Sequence, residues 1–475
     1  MTNLFALTAL LCWIPISAVL FLWLPIARAL AFSYVGGWLI LPVATYQLPG
    51  IPDFSKATAV LLASSLGLLM HKDAGQVLRE FRLSWIDIPA FLLCMGVFTT
   101  SYLNGLGIWD GVSAVVYMFC TWTGPYFLGR LVFRSTDAAC ELVKAIFFGG
   151  LFYVPLCLFE IRMSPQLHVI FYGVTPRGVW SNVERFGGYR PNVFLEDGLE
   201  LGLWMTASCL AGFVLWHQGR YRRIGNLPVS LLLFVLLVTT VLCKSTGALA
   251  LLMMGLACSI VGRHFRSTMP MAILVVSAIA YIIVRGAGLY DGAEVVEFTK
   301  QYVSEDRAGS LNCRLKNEDL LREKAFIRPW LGWGSWGRSR VYNDEGVDIS
   351  ITDGRWIIIF GQLGVIGLFG TFGTLIFPSL AALRRYGGRV CCSESAAPVI
   401  ALTMIVAVFA IDCLLNSFPN PVYLLSAGAV GSLAQLAPGH TFPEGAKPEP
   451  TTPGANVQRR CWPLPSRKQP AKAEG

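Results

Sequence analysis

Charge is scarce in this 475-residue chain: Asp, Glu, Lys and Arg together make up 14%, against 54% apolar residues. A soluble globular domain carries about 25% charged residues, so that class is excluded, and the mean hydropathy of +0.56 agrees. Histidine is nearly absent. His71, His217 and His264 sit at the ends of apolar runs that carry basic loops, His440 lies in the tail, and only His168 falls on the opposite side. The 13 cysteines are scattered, with Cys391 and Cys392 in a short loop and Cys313 in a long one, so neither a disulfide framework nor a metal-ligand spacing emerges. The first apolar run lacks a basic flank and continues into a second, which reads as a retained span rather than a cleaved leader. No aromatic-and-basic nucleic-acid module accompanies the net charge of +9, which points instead to anionic headgroups.

Long apolar runs are what the chain has in abundance. A span needs roughly 20 mainly apolar residues to cross a hydrocarbon core of about 30 Å. Candidate runs fall at 6–26, 29–46, 57–69, 88–103, 112–133, 142–159, 199–216, 229–243, 248–261, 271–284, 356–380, 399–415 and 422–436. The expected fold is therefore all-α, a polytopic transmembrane helical bundle of about 12–13 spans. It divides into N-terminal spans (1–160), a first polar segment (161–198), central spans (199–285), a long polar loop (286–354), C-terminal spans (355–437) and a tail (438–475) rich in Pro, Lys and Arg. The tail composition predicts a disordered cytoplasmic segment. Short loops holding Lys72, Arg79 and Arg82, Arg130 and Arg134, Arg220 to Arg223, Arg263 and Arg266, and Arg384 to Arg389 alternate with loops nearly free of cations. The basic set should be cytoplasmic, which places 161–198 and 286–354 on the outer side and the N-terminus outside.

Those two outer segments hold the polar chemistry. Arg185 and Arg190 flank a Gly pair and precede Pro191-Asn192 at the mouth of a span. Guanidinium groups there fit an anion cradle, because they bind phosphate oxygens bidentately and keep their charge; snorkelling to headgroups is the alternative. Lys244 lies in a very short turn between spans, either as an intramembrane functional cation or as a snorkelling one. In the long loop, 311–326 has helical periodicity with Arg314, Glu318 and Arg322 one turn apart, stopped at Arg328-Pro329. Alternating Trp and Gly from Trp330 to Gly337 would serve an interfacial belt or a sugar platform, with Trp333 at its centre. Asp353, just before Arg355 and the next span, reads either as a helix cap or as a general base.

Three of these places, in this order, resemble the O-antigen polymerase and O-antigen ligase superfamily of bacterial envelope glycosyltransferases. They are Arg190-Pro191-Asn192 entering a span, Lys244-Ser245-Thr246-Gly247-Ala248 opening another, and the loop with Arg314, Pro329 to Gly334 and then Gln362 to Leu368. The resemblance covers roughly the second half of the chain. It implies a metal-independent, cofactor-free enzyme of the bacterial inner membrane that moves a glycan from an undecaprenyl diphosphate carrier at the periplasmic face. It also implies that Arg190 and Arg314 hold the diphosphate. Beside them, Arg185, Lys244, Arg328, Arg355 and Trp333 are expected as further substrate contacts from their own chemistry, with Asp353 accepting the acceptor's proton. Ligases carry a His-Asn pair where Asp353-Gly354 stands here, so a polymerase or other exopolysaccharide-building member fits better than a ligase. Two further classes are a flippase or exporter for lipid-linked glycan, and a scaffold whose loop binds polysaccharide assembly proteins. A transporter would carry broken helices and paired polar residues near the midplane.

Overall fold

The computed structural model describes residues 3–48, 51–176, 184–185, 187–302, 304–335 and 337–435. The tail assigned above to a disordered segment lies outside the described residues. Helix accounts for 74% of the structure and strand for 4%, which makes the class all-α.

The first half runs α1 (Leu4–Trp23), α2 (Ile26–Ile40), α3 (Lys56–Met70), α4 (Ala74–Glu80), α5 (Ile88–Leu103), α6 (Ile108–Met118), α7 (Gly124–Val132), α8 (Thr136–Met163) and α9 (Leu167–Tyr172). The second half runs α10 (Gly198–His217), α11 (Val229–Leu242), α12 (Thr246–His264), α13 (Met269–Gly286), α14 (Ala293–Tyr302), α15 (Glu305–Phe326), α16 (Arg355–Arg385), α17 (Ala397–Leu415) and α18 (Pro421–Ala434). Small antiparallel hairpins decorate the loops: β1 (Thr45–Leu48) with β2 (Ile51–Ser55), β3 (Glu184–Arg185) with β4 (Gly188–Tyr189), and β5 (Arg223–Ile224) with β6 (Leu227–Pro228).

Among the described residues eight helices are long and apolar enough to cross a membrane: α1, α5 with its leading turn, α8, α10, α12, α13, α16 and α17. The apolar helices α2, α3, α11 and α18 are shorter, and α6 and α7 are joined by a π-helical stretch, Phe119–Thr123. Each apolar run in the sequence is thus a helix, and polar side chains set several boundaries. Asn3, Ser135, Asp197 and Asn420 each accept a backbone N–H at the first turn of their helix, satisfying donors that have no partner within the helix.

Helices α10 and α17 form the centre. Their apolar windows are 89% and 83% buried, whereas those of α1, α12 and α13 are 28% buried and leave apolar side chains facing outward. Where α7 crosses α18, Gly129 faces the Leu425 carbonyl and Gly428 faces the Tyr126 carbonyl so closely that a Cβ at either would collide with backbone. Small residues permit that approach where packing rather than water drives helix association.

The loops collect at two ends. At one, Arg130 pairs with Asp87 at 2.8 Å, Arg134 with Glu80 at 2.7 Å, Arg220 with Asp137, and Arg263 donates to the His217 carbonyl. At the other, the Val43 N–H reaches His168, Asn3 reaches the Tyr172 carbonyl, and Asn104 donates to the Gly332 carbonyl. Asn3 belongs to the second end, while Gln435, which accepts from Arg130, belongs to the first. Cys313 is exposed on α15, and Cys392 contacts the Arg263 carbonyl at the basic end. In intact cells, a membrane-impermeant maleimide should label a single-cysteine variant keeping Cys313 and spare one keeping Cys392; the reverse pattern would invert the topology.

Candidate functional site

The polar helix α15 is held by side chains one turn apart. It begins at N-cap Ser304, which accepts the Arg307 N–H, with Glu305 and Asp306 in the first turn; these complement the positive helix end and start the helix before the apolar pattern at 311–326 does. Glu318, 4% exposed, accepts from Tyr281 at 2.9 Å, Trp356 Nε1 at 3.1 Å and Arg285 Nε at 3.3 Å. Burial pushes the Glu318 carboxyl above its usual range, opposed by these donors and by the Arg285 charge. Arg285 also donates to the Leu315 and Tyr290 carbonyls. One turn earlier, Asn317 accepts the Ile351 N–H at 2.7 Å and Arg314 Nε donates to Asp353 Oδ2 at 3.0 Å. Positions 314, 317 and 318 share one helix face, so this face grips the whole segment entering α16.

The Trp-Gly segment makes a second grip on α16. That helix is interrupted at Gly364, with φ 64° and ψ −158°, a conformation costly for any residue with a Cβ. The break frees backbone groups that the loop satisfies. Trp333 and Gly334 donate to the Gly361 and Gln362 carbonyls at 2.9 and 3.0 Å, and Val365 donates to the Pro329 carbonyl at 2.8 Å. Irregular backbone inside a membrane protein is tolerated only with such internal partners.

Between these grips lies a cavity of about 800 Å³. Arg314, Asp353 and Arg355 line it, together with Asp110, Glu196, Gln362 and Asn416; Tyr117, Met118, Ile358 and Ile359 give it an apolar wall. Asp353 does not cap α16: the N-cap is Gly354, without a side-chain bond, and Asp353 spends its carboxylate on Arg314. Arg355 is 6% exposed; its guanidinium lies 4.3 Å from the Trp122 ring centroid, and its backbone N–H donates to the Asn416 carbonyl. Its buried Nε has no hydrogen-bond partner.

The other candidates from the sequence lie outside the cavity lining. Arg190 is 4% exposed, packed beside Gly198 and 4.0 Å from Asp197, so it neither snorkels nor reaches the cavity. Lys244, at φ 55°, lays its ammonium against Gly188 of β4. Arg185 pairs through its backbone with Gly188; its side chain lies outside what is described. At Trp333, Lys324 and Arg328 sit 4.3 and 4.5 Å from the ring centroid, and the Nε1 donates to the Lys324 carbonyl. Arg328 also reaches Asn104. Cation–π contacts of this kind stabilise by about 0.5–2 kcal/mol, and here they stiffen the loop. Trp336 lies outside the described residues.

Three buried charged residues at the ends of apolar runs also shape this end of the molecule; the sequence offers Glu200 as a carboxylate that could orient the nearby arginines, and gives Glu160 and Lys56 no role. Glu160 accepts the N–H groups of Leu167, Asn192 and Val193, so a single carboxylate shapes the segment after Arg190. Glu200 accepts from Trp38, Asn420 and the Glu196 N–H, beside Lys56, which donates to the Phe194 carbonyl. An acid within an apolar run is itself the signal for such a role. A scan against protein-family models and a search of curated proteins find no match to this chain.

Removing the carboxylate in Glu318→Ala should destabilise the protein by about 1–3 kcal/mol, because Tyr281, Trp356 and the Arg285 Nε lose their common acceptor while Arg285 keeps Asp319 at 3.3 Å; thermal unfolding in detergent would measure it. His168 supplies a pH dependence. Its Nε2 accepts the Val43 N–H, its Nδ1 faces the Val174 carbonyl, and burial lowers its pKa to about 4. The unfolded imidazole, near 6.5, binds its proton first. Stability from this group is therefore complete above about pH 6.5 and is lost as pH falls through about 4. His168→Gln should flatten that part of the melting-temperature profile.

Proposed function

We propose that this chain is a membrane glycosyltransferase of the polymerase-like kind, moving a glycan from an undecaprenyl diphosphate carrier to an acceptor sugar on the outer side of the bacterial inner membrane. The observation that carries the reading is the joint lining of one amphipathic cavity by Arg314, Asp353 and Arg355. Two guanidinium groups beside a carboxylate, against an apolar wall, match a substrate with a charged head and a lipid tail. The acceptor hydroxyl oxygen attacks the anomeric carbon, and the bond from that carbon to the phosphate oxygen breaks. The lipid diphosphate departs against Arg314 and Arg355, and the hydroxyl proton passes to Asp353. Arg190 and Lys244 act from outside the cavity, through the loop and hairpin they support.

The break of α16 at Gly364, beside the cavity, is the one feature favouring a lipid-linked glycan transporter instead, since interrupted helices line transport sites. The two readings separate in cells. Arg314→Ala and Asp353→Asn proteins, inserted at normal levels, should lower polymer formation by about 10²–10³-fold and leave carrier-linked single repeats on the outer leaflet. Repeats held on the cytoplasmic leaflet would indicate transport, and full-length polymer from both variants would overturn the enzyme reading.

A further inference from the structure

The two arginines of the cavity stand in opposite states. Arg314 is committed: its Nε is bonded to Asp353 at 3.0 Å. The contact is single rather than the two-pronged fork that guanidinium and carboxylate form at their strongest. Both side chains are partly open to the cavity, at 23% and 39% exposure. Arg355 is uncommitted. Among the described residues it forms no ion pair, its buried Nε lacks a partner, and the Trp122 face lies 4.3 Å from the guanidinium. A buried cation without an anion is costly, so the site is incomplete as it stands. A buried, unpartnered guanidinium lining a cavity is a seat for an anionic group.

We propose that Arg355 is the fixed half of an anion seat, and that Asp353 competes with the ligand's phosphate groups for the other half, Arg314. The inference rests on the lipid-diphosphate reading above and gives the carboxylate a second role. Before binding, Asp353 neutralises Arg314. When a diphosphate engages Arg355, its second phosphate displaces Asp353 from Arg314, because the diphosphate as a whole carries at least two charges against the carboxylate's one and is already anchored at Arg355. The displaced carboxylate is then free to accept the acceptor's proton. Asn317 and Glu318, one turn along α15 from Arg314, fix the helix during the exchange, so only side chains need move.

The competition makes opposite-sign predictions for neighbouring residues. The probes are farnesyl diphosphate and inorganic diphosphate, titrated calorimetrically into the full chain in lipid nanodiscs. Asp353→Asn should bind farnesyl diphosphate about two- to fivefold more tightly than the natural chain, the strength of a partly exposed ion pair. Arg355→Gln should bind it about 10–100-fold more weakly, the loss of hydrogen bonds to a charged group. Asp353→Ser, which also removes the competing charge, should reproduce the tightening and guards against a local misfold of the Asn variant. A gain of equal size with inorganic diphosphate supports the competition and attributes it to the phosphate charge; a gain confined to farnesyl diphosphate supports it with the lipid needed for seating. Unchanged or weaker binding in both Asp353 variants, where the natural chain binds, would overturn the competition while leaving the lipid-diphosphate reading standing. Unchanged binding in Arg355→Gln would overturn the seat. Absence of binding to any form would overturn the seat together with the functional reading beneath it.

Discussion

The buried contact between Arg285 and Glu318 is the constraint on which the end of the molecule that carries α15 depends. Helix α15 is polar, with an apolar face limited to Ala308, Leu315, Leu321 and Ala325, and most helical stability in proteins comes from such a face. Its place over the bundle therefore comes from specific bonds. Glu318 receives donors from α13 and α16 at once, through Tyr281, Arg285 and Trp356. A buried ion pair is weak evidence for stability against an apolar alternative, but losing one partner is strongly unfavourable. That asymmetry makes the pair a register device. It tolerates one placement of α15, and in that placement Arg314, one turn away, meets Asp353.

The same logic joins the two motifs of the long loop and the following helix. Gly364 breaks α16 and exposes donors and acceptors where water is excluded, and the Pro329 to Gly334 segment supplies their complements. Neither segment is satisfied without the other. The pairing brings Gln362, Gly334 and Ser335 to the cavity wall next to Asp353 and Arg355. The cavity owes its shape to one polar helix and one broken apolar helix, each held by hydrogen bonds that the other completes.

Much of the fold was legible in the sequence because apolar runs longer than about 14 residues have few fates other than helix. The alternation of basic and cation-poor loops likewise sorted the loops into two ends. The site was legible only in part, and the reason is physical. Arg314, Asp353 and Arg355 stood out because charge is rare and theirs lies at a polar boundary. Glu160 and Lys56 were passed over because a single charge at the end of an apolar run does not alter the hydropathy signal, although both are buried. For Trp333, ring-face chemistry is visible in sequence, but the cations at 324 and 328 that lie against the ring are neighbours only after the helix has turned.

Under the proposed glycan-transfer reading, the geometry gives an aspartate at position 353 a physical rationale. A carboxylate beside a leaving diphosphate would repel it in a dry site. Here the carboxylate sits on Arg314, so the pair is close to neutral before an anion arrives. A neutral imidazole at 353 would leave Arg314 without its partner. With Asp353 present, three carboxylates, those of Asp110, Glu196 and Asp353, line the space with two guanidinium groups. Such a cavity binds an anion only by local rearrangement and not by bulk charge. The selectivity falls on ligands with enough acceptor oxygens to replace Asp353 at Arg314 while they occupy Arg355.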